Sequence, residues 1–518
     1  MPSKTQNNFL LIYPTMLNEA PMTLGMLAPI LKEAGYKVSA LVNTFRKPLE
    51  VEDFVEKARE VNAKIVGISM ITFEVLKTHR IIKELKDDGF TIVVGGAHPT
   101  DCPEEMIEAG ADIVVRNEGE NTLRELCLYW KGERKLEDIL GITYKKDGKI
   151  INNSPRPRME ITDLPMPDLS IYDIDLFRDS ENFIRGFHRI YTSRGCPGTC
   201  TFCDWKVFGQ VFKYYPTQEI IDEIKRRKEE YGLTSFSIAD DCFTVVPERV
   251  FEFCEKIKPL KVEWRANSRA NLITPEMCEA MKEAGCHSIA FGLESGDPET
   301  LRRIGKRVTL EENIKAPWMA HEAGLEVYGC LMTGFPWETE KNVENQIKFI
   351  REVWDAVSLF QVSGSLMPFP GTAIYRQYVE EMDFKEYWLK PEHQKHGIQI
   401  YQNYRNSYAI STFYQRYLFD DTYIQGEYFF KYAEEYKKKV REMVFEIGRH
   451  NLLFMFKDQK FRQKMFLQTA RLSMLGHDWF PGLEMKIGGF LYDLFHHKGE
   501  RSKIEQTRNK RRGIAKHR

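Results

Sequence analysis

Two series of short apolar runs rich in β-branched residues alternate with helical patterns along these 518 residues, and a proline-punctuated stretch separates them. In the first series, residues 9–13, 37–42, 65–70, 91–94 and 112–115 read as strands, with helical patterns such as 52–61 and 75–88 between them. Such alternation predicts a parallel sheet wound on both faces, because parallel neighbours need a crossover long enough to hold a helix. Ligands of these sheets sit beyond the carboxyl ends of the strands. The second series begins near Arg189. Its strands are expected at 190–193, 235–239, 261–266, 288–293, 326–331 and 358–363, and its helices at 218–231, 247–258, 275–284, 311–323 and 341–353. Six such units predict a partial (β/α)6 barrel of the TIM type, with its chemistry at the C-terminal ends of the strands.

The expected fold class is therefore α/β. A doubly wound, Rossmann-like sheet occupies 1–140, and a linker punctuated by Pro155, Pro157, Pro165 and Pro167 occupies 141–185. The partial barrel follows over 186–375, then a mostly helical, aromatic-rich region over 376–500 and a basic tail over 501–518. The rings between 401 and 436, Tyr404, Phe413, Tyr417 and Tyr428 among them, read as a helical core, with a pocket for a large apolar or planar molecule as the alternative. The tail carries eight Lys or Arg against one Glu. It reads as a solvated extension, with weak contact to an anionic membrane surface as the alternative.

Hydrophobic residues at 42% and charged residues at 29% are ordinary for a folded chain, and a net charge of −1 gives no reason to expect nucleic acid. The N-terminus lacks a charged-then-apolar leader pattern, and no uncharged apolar run approaches the roughly 18 residues of a spanning helix. A cytoplasmic location is expected. Ten cysteines are too sparse for a disulfide scaffold, yet three of them fall within eight positions, which in a reducing compartment signals metal or redox chemistry.

That segment runs Ser193-Arg-Gly-Cys196-Pro-Gly-Thr-Cys200-Thr-Phe-Cys203. It follows an expected strand and precedes a long helix, so it is a loop at the top of the barrel. Gly195, Pro197 and Gly198 let the backbone curl so that three sulfurs can converge. Thiolates are the usual ligands of iron–sulfur clusters, and three of them leave one iron of a cubane open. Structural zinc is the alternative. It needs four close ligands. The next cysteine, Cys242, lies 39 residues beyond Cys203, although His188 could complete a Cys3His set.

The CxxxCxxC spacing, with an aromatic before the last cysteine, resembles the radical S-adenosylmethionine (SAM) superfamily over about residues 186–375. The resemblance implies a [4Fe–4S] cluster on Cys196, Cys200 and Cys203 that delivers one electron to SAM. It also implies that Phe202 lies against the adenine. Asp240 and Asp241 end the second strand, where the family places a polar motif for the SAM amino group, here in the variant Asp-Asp-Cys-Phe. Arg269, Glu294, Ser295 and Gly334 follow later strands and are implied to line the same cofactor.

The first domain carries Ser69-Met-Ile71, then 23 residues, then Gly95-Gly96. These elements resemble the Ser-x-Leu and Gly-Gly of cobalamin (B12)-binding domains, with Gly25 as the glycine of the first element. In that register Met22 stands where the family has its axial histidine, so the lower ligand is expected to differ. His98 is out of register and reads as a loop residue. Asn117-Glu-Gly-Glu120 is expected at the cofactor or the domain interface. A bare scaffold without cofactor is the alternative, while a nicotinamide site lacks its Gly-x-Gly-x-x-Gly.

Together the motifs resemble cobalamin-dependent radical SAM enzymes, most of which are methyltransferases. The implied reaction is methylation of an unactivated carbon on a large apolar or planar substrate, lipid or tetrapyrrole. The alternatives are an oxidative cyclase acting on a porphyrin such as magnesium-protoporphyrin monomethyl ester, and a non-catalytic cobalamin carrier. The implied partner is a reductant such as flavodoxin or ferredoxin.

Overall fold

A computed structural model describes residues 7–17, 20–44, 47–177, 189–205, 207–390 and 432–457. Strands β1 (Asn8–Leu17), β2 (Lys37–Thr44), β3 (Ala63–Ser69), β4 (Thr91–Gly95) and β5 (Ile113–Val115) pair in parallel in the order β2-β1-β3-β4-β5. Between them run α1 (Met22–Glu33), α2 (Val51–Glu60), α3 (Val75–Asp87), α4 (Ala97–Asp101) and α5 (Pro103–Glu108), with α6 (Glu120–Trp130) after β5. Leu10, Ile12, Val66 and Ile68 share a core with Phe54 of α2, Ile81 of α3 and Met106 of α5. The alternate residues Phe9, Leu11, Ile65 and Val93 pack with Leu24 of α1 and Leu126 of α6. A strand buried on both faces cannot alternate apolar with polar, which is why these runs are continuous. The strand order reverses between β1 and β3, leaving a crevice at their carboxyl ends.

The chain from 141 is not wholly a linker. Strands β6 (Ile142–Lys146) and β7 (Lys149–Asn152) extend the sheet antiparallel from β5. Asp147 and Gly148 join them with φ of 49° and 79°, the left-handed pair of a two-residue hairpin turn. The Asp-Gly signal stands in the sequence, but the lysines flanking it mask the apolar alternation.

The second sheet is built from β8 (Arg189–Ile190), β11 (Ser235–Ile238), β12 (Glu263–Ser268), β13 (Cys286–Glu294), β14 (Glu326–Thr333) and β15 (Leu359–Ser365), all parallel and in chain order. Expected strand 190–193 is instead two pieces. After β8 the chain turns, and β9 (Ser193–Arg194) pairs antiparallel with β10 (Lys213–Tyr214). Helices α7 (Thr217–Tyr231), α8 (Pro247–Ile257), α9 (Pro275–Glu283), α10 (Pro298–Arg303), α11 (Leu310–Glu322) and α12 (Glu340–Glu352) complete the units. Thr309 and Glu312 start α11 with a reciprocal cap.

Of two later helices, one joins the core of the first sheet and the other packs into the barrel. In α13 (Ala373–Tyr378), Ile374 and Tyr378 join the core of the first sheet, as do Leu301, Ile304 and Phe335 from the barrel mouth. In α14 (Glu434–Lys457), Tyr436, Val440, Met443 and Ile447 form one helical stripe buried in the barrel core. Most of the aromatic-rich region, His188 and the basic tail lie outside the described residues. Among the described residues no helix is long and apolar enough to cross a membrane.

Candidate active site at the mouth of the barrel

The cysteine loop is fixed before its first cysteine. The backbone amides of Thr192 and Ser193 donate to Asp240 Oδ1 at 2.7 and 3.0 Å, and Arg249 closes an ion pair on the other oxygen at 3.4 Å. Asp240 is 1% exposed, so its carboxylate is wholly occupied in holding this strand end. Gly195 then takes φ +80°, and a Cβ there would overlap the carbonyl oxygen of Val211. Beyond it, Thr201 N donates to Ile304 O at 2.8 Å, and Ile374 N to Thr201 O at 3.0 Å.

Cys196, Cys200 and Cys203 share this one loop. Cys203 is exposed at the loop surface, yet the protein packed round it desolvates the thiol and pushes it up to about 12, with Cys200, Asp241, Cys196 and Asp204 adding to the effect. Three thiols on one short loop fit an iron centre, whose binding expels thiol protons as the sulfurs become ligands. Arg269 is nearly buried, with Nη1 3.7 Å from Cys200 Sγ and Nη2 on the carbonyl of Lys306. Asp241 is exposed in the mouth, and its carboxyl is raised by the protein closing round it and by Asp240.

Glu294 ends β13 in the left-handed region, φ +60°, and meets Lys306 Nζ at 2.7 Å; their side chains are 12% and 5% exposed. A non-glycine residue held there costs roughly 1–3 kcal/mol, a strain typical of sites where side-chain direction matters. Ser295 does not face the mouth. It is 2% exposed, and its hydroxyl accepts from Asp297 N at 3.1 Å, so it caps the following turn. Gly334 N lies 2.8 Å from Glu338 Oε2 and 2.9 Å from Tyr436 Oη. Burial raises the Glu338 carboxyl to about 7. The turn so held presents Phe335 edge-on to Phe202, ring centres 6.1 Å apart.

On the first sheet, Ser69 pairs in register with Gly95, and Met70 N donates to Gly95 O at 3.0 Å. Gly96 takes φ +114°, and a Cβ there would overlap the Met70 carbonyl oxygen. Near the carboxyl end of β1, Thr15 Oγ1 is buried without a hydrogen-bond partner. That orphaned hydroxyl in the β1/β3 crevice and the small residues of the two neighbouring loops fit the nucleotide tail of a corrinoid. Replacing Gly96 by Ala should add roughly 1–3 kcal/mol of backbone strain to the overlap. We expect the corrinoid content, read from the absorption spectrum, to fall sharply in that variant while iron content is unchanged.

Gly25 is not part of this grouping. It lies inside α1, its carbonyl accepts from Asp168 N at 2.8 Å, and a Cβ would stand 3.2 Å from Pro167. Its small size serves the docking of the linker. Met22, at the axial-histidine register, opens α1 and is buried. His98 is not in a loop but in α4, fully buried, with Nδ1 3.2 Å from Thr72 Oγ1 and Nε2 3.3 Å from Glu105 Oε1. Glu118 and Glu120 turn to the barrel: both pair with Arg194, two residues before Cys196. Glu118 also accepts from Met159 N of the linker at 3.1 Å. Arg194, Lys306, Glu338 and Thr15 were not singled out from sequence. The acidic partners of Arg194 lie 76 and 74 residues off, Tyr436 lies 98 from Glu338, the Thr15 hydroxyl has no hydrogen-bond partner, and no local pattern marks these residues.

Residues 190–350 match the radical SAM superfamily, and residues 17–127 match the B12 binding domain. An uncharacterized methyltransferase of Pyrococcus horikoshii is 33% identical over 364 residues, which span 68% of this chain and 77% of the relative. The chain belongs to the cobalamin-binding radical SAM enzymes. Also similar to this family member is the anaerobic magnesium-protoporphyrin IX monomethyl ester cyclase of Rubrivivax gelatinosus, 27% identical over 77% of this chain and 75% of the relative. The fold of the enzyme matches that of the radical SAM methyltransferase TsrM from Kitasatospora setae with cobalamin and a [4Fe–4S] cluster bound. The TM-score is 0.63 at 16% identity, covering 87% of this chain and all of the other. As a cobalamin-binding radical SAM enzyme, the protein uses SAM, a [4Fe–4S] cluster and cobalamin.

Proposed function

We propose that this enzyme methylates an unactivated carbon of a large apolar or planar small molecule, drawing electrons from a flavodoxin- or ferredoxin-like reductant. The observation that carries this reading is the ion network of Arg194 with Glu118 and Glu120, which joins the cysteine loop directly to the carboxyl end of β5. Methyl transfer needs the corrinoid face and SAM to meet across one substrate, and two sheets joined at their carboxyl ends supply that arrangement. When bound, the cluster supplies an electron for SAM cleavage and cobalamin carries the methyl group.

Cys196, Cys200 and Cys203 hold the cluster in this reading. Phe202, steadied by Phe335 and the Gly334 turn, supports the adenine. Asp241, Arg269 and the Glu294–Lys306 pair offer charges to the amino and carboxylate groups of SAM. Asp240 and Ser295 act through the backbone they hold, and Ser69, Gly95 and Gly96 make room for the corrinoid tail. The expected division into units keeps its meaning if the first unit is extended to the end of β7.

A second reading, oxidative cyclisation, is favoured by the similarity to the Rubrivivax cyclase across three quarters of the chain. Nucleoside products separate the two. Methyl transfer should yield S-adenosylhomocysteine and 5′-deoxyadenosine in equal amounts, measured by mass spectrometry with tetrapyrrole and lipid acceptors. Sustained deoxyadenosine formation with product, but without matching homocysteine nucleoside, would replace methyl transfer by cyclisation.

A further inference from the structure

We propose that His98, Cys102 and Glu105 form a second metal site, one that binds zinc and clips α4 and α5 together. One ligand atom from each of the three lies within 4.8 Å of the others. His98 Nε2 stands 3.3 Å from Glu105 Oε1. Nitrogen and oxygen ligands at about 2.0–2.1 Å from a tetrahedral zinc lie roughly 3.3 Å from each other, so this pair already has the spacing of two corners.

The surroundings orient these atoms. His98 is fully buried, and its other ring nitrogen is 3.2 Å from Thr72 Oγ1, in the turn after β3. A proton placed there leaves the Nε2 lone pair facing Glu105, as the outer partners of metal-bound histidines do. Trp388 Nε1 donates to Glu105 Oε2 at 2.8 Å and so turns Oε1 toward the imidazoles. From α3, His79 Nε2 comes within 3.0 Å of the same Oε1, yet it is buried without an aligned hydrogen bond. Two histidine nitrogens converging on one carboxylate oxygen give a metal a fourth corner after a small shift of His79. Thiolate, imidazole and carboxylate together select zinc over magnesium or calcium. Binding would expel the Cys102 thiol proton. None of its ligands belongs to the Cys196, Cys200 and Cys203 triad.

The test uses the full chain with its iron–sulfur cluster in place, so that the triad is already filled. The protein is equilibrated with zinc chloride, passed over a chelating resin, and assayed for zinc and iron by plasma mass spectrometry. About one tightly held zinc per chain is expected, with one sulfur in its coordination shell by X-ray absorption at the zinc edge. Cys102→Ser and Glu105→Gln each remove a direct ligand and should weaken zinc retention by more than the roughly tenfold loss of an outer partner alone, at unchanged iron content. Zinc well below one equivalent in the unaltered protein, a zinc shell lacking sulfur, or variants that retain zinc as tightly as the unaltered protein would overturn the proposal. The absorption spectrum of the unaltered protein decides the matter even if a variant fails to fold.

Discussion

Replacing Cys196, Cys200 and Cys203 together by Ala should give a colourless protein without iron, where the unaltered chain, reconstituted anaerobically, holds about four irons. Reductive cleavage of SAM to 5′-deoxyadenosine should fall to background, a loss of roughly a thousandfold or more, equivalent to about 4 kcal/mol of barrier. The fold should survive. The loop is anchored by Asp240 on one side and by Ile304 and Ile374 on the other, through bonds that involve no sulfur. The triple variant should therefore still bind cobalamin, and that binding separates loss of a cluster from loss of structure. Full iron content in the variant would refute the assignment of these cysteines.

The second large effect is expected at the Glu294–Lys306 pair. Lys306→Met leaves the Glu294 carboxylate nearly buried, uncompensated and still held at positive φ. Removing one partner of a buried ion pair costs roughly 3–5 kcal/mol, because the other charge must lose its hydration with nothing in return. Denaturant unfolding should show that loss, and isothermal titration should show weakened SAM binding. Adding Glu294→Gln to Lys306→Met removes the stranded charge and should recover part of the stability but none of the SAM affinity. If the double variant is no more stable than the single one, the two side chains do not act as a pair.

The alternation of strands and helices was legible in the first sheet because β1, β3, β4 and β5 are buried on both faces and read as unbroken apolar runs, whereas β12, β13 and β14 alternate buried with half-buried positions and are marked by their period of two and the helices between them. The cysteine loop was legible because its chemistry is concentrated in one short stretch. What sequence could not give was the direction of side chains at strand ends. Asp240 and Asp241 are neighbours, yet one is sealed under the Thr192 and Ser193 amides and the other opens to the mouth. Glu294 and Ser295 divide in the same way, through a left-handed residue that no propensity favours for glutamate. Gly25 is the inverse case: spacing alone points it toward the corrinoid, while in the structure the linker packs on it. From sequence His98 reads as a loop residue, because burial of a lone histidine cannot be read from its neighbours along the chain.

The two outer anchors of the cysteine loop also impose an order on how the enzyme is made. Thr201 is held by Ile304 and Ile374, residues that leave the ribosome long after the cysteines do. Until they are synthesised and the later barrel units have closed, the three thiols sit on a segment held only at its start by Asp240. Contacts so distant in sequence form late and slowly. Iron–sulfur delivery during translation would therefore meet an unformed receptacle, and maturation has to wait for a nearly complete chain. A fragment ending before Ile374 should accordingly acquire cluster poorly even though it contains every cysteine of the motif.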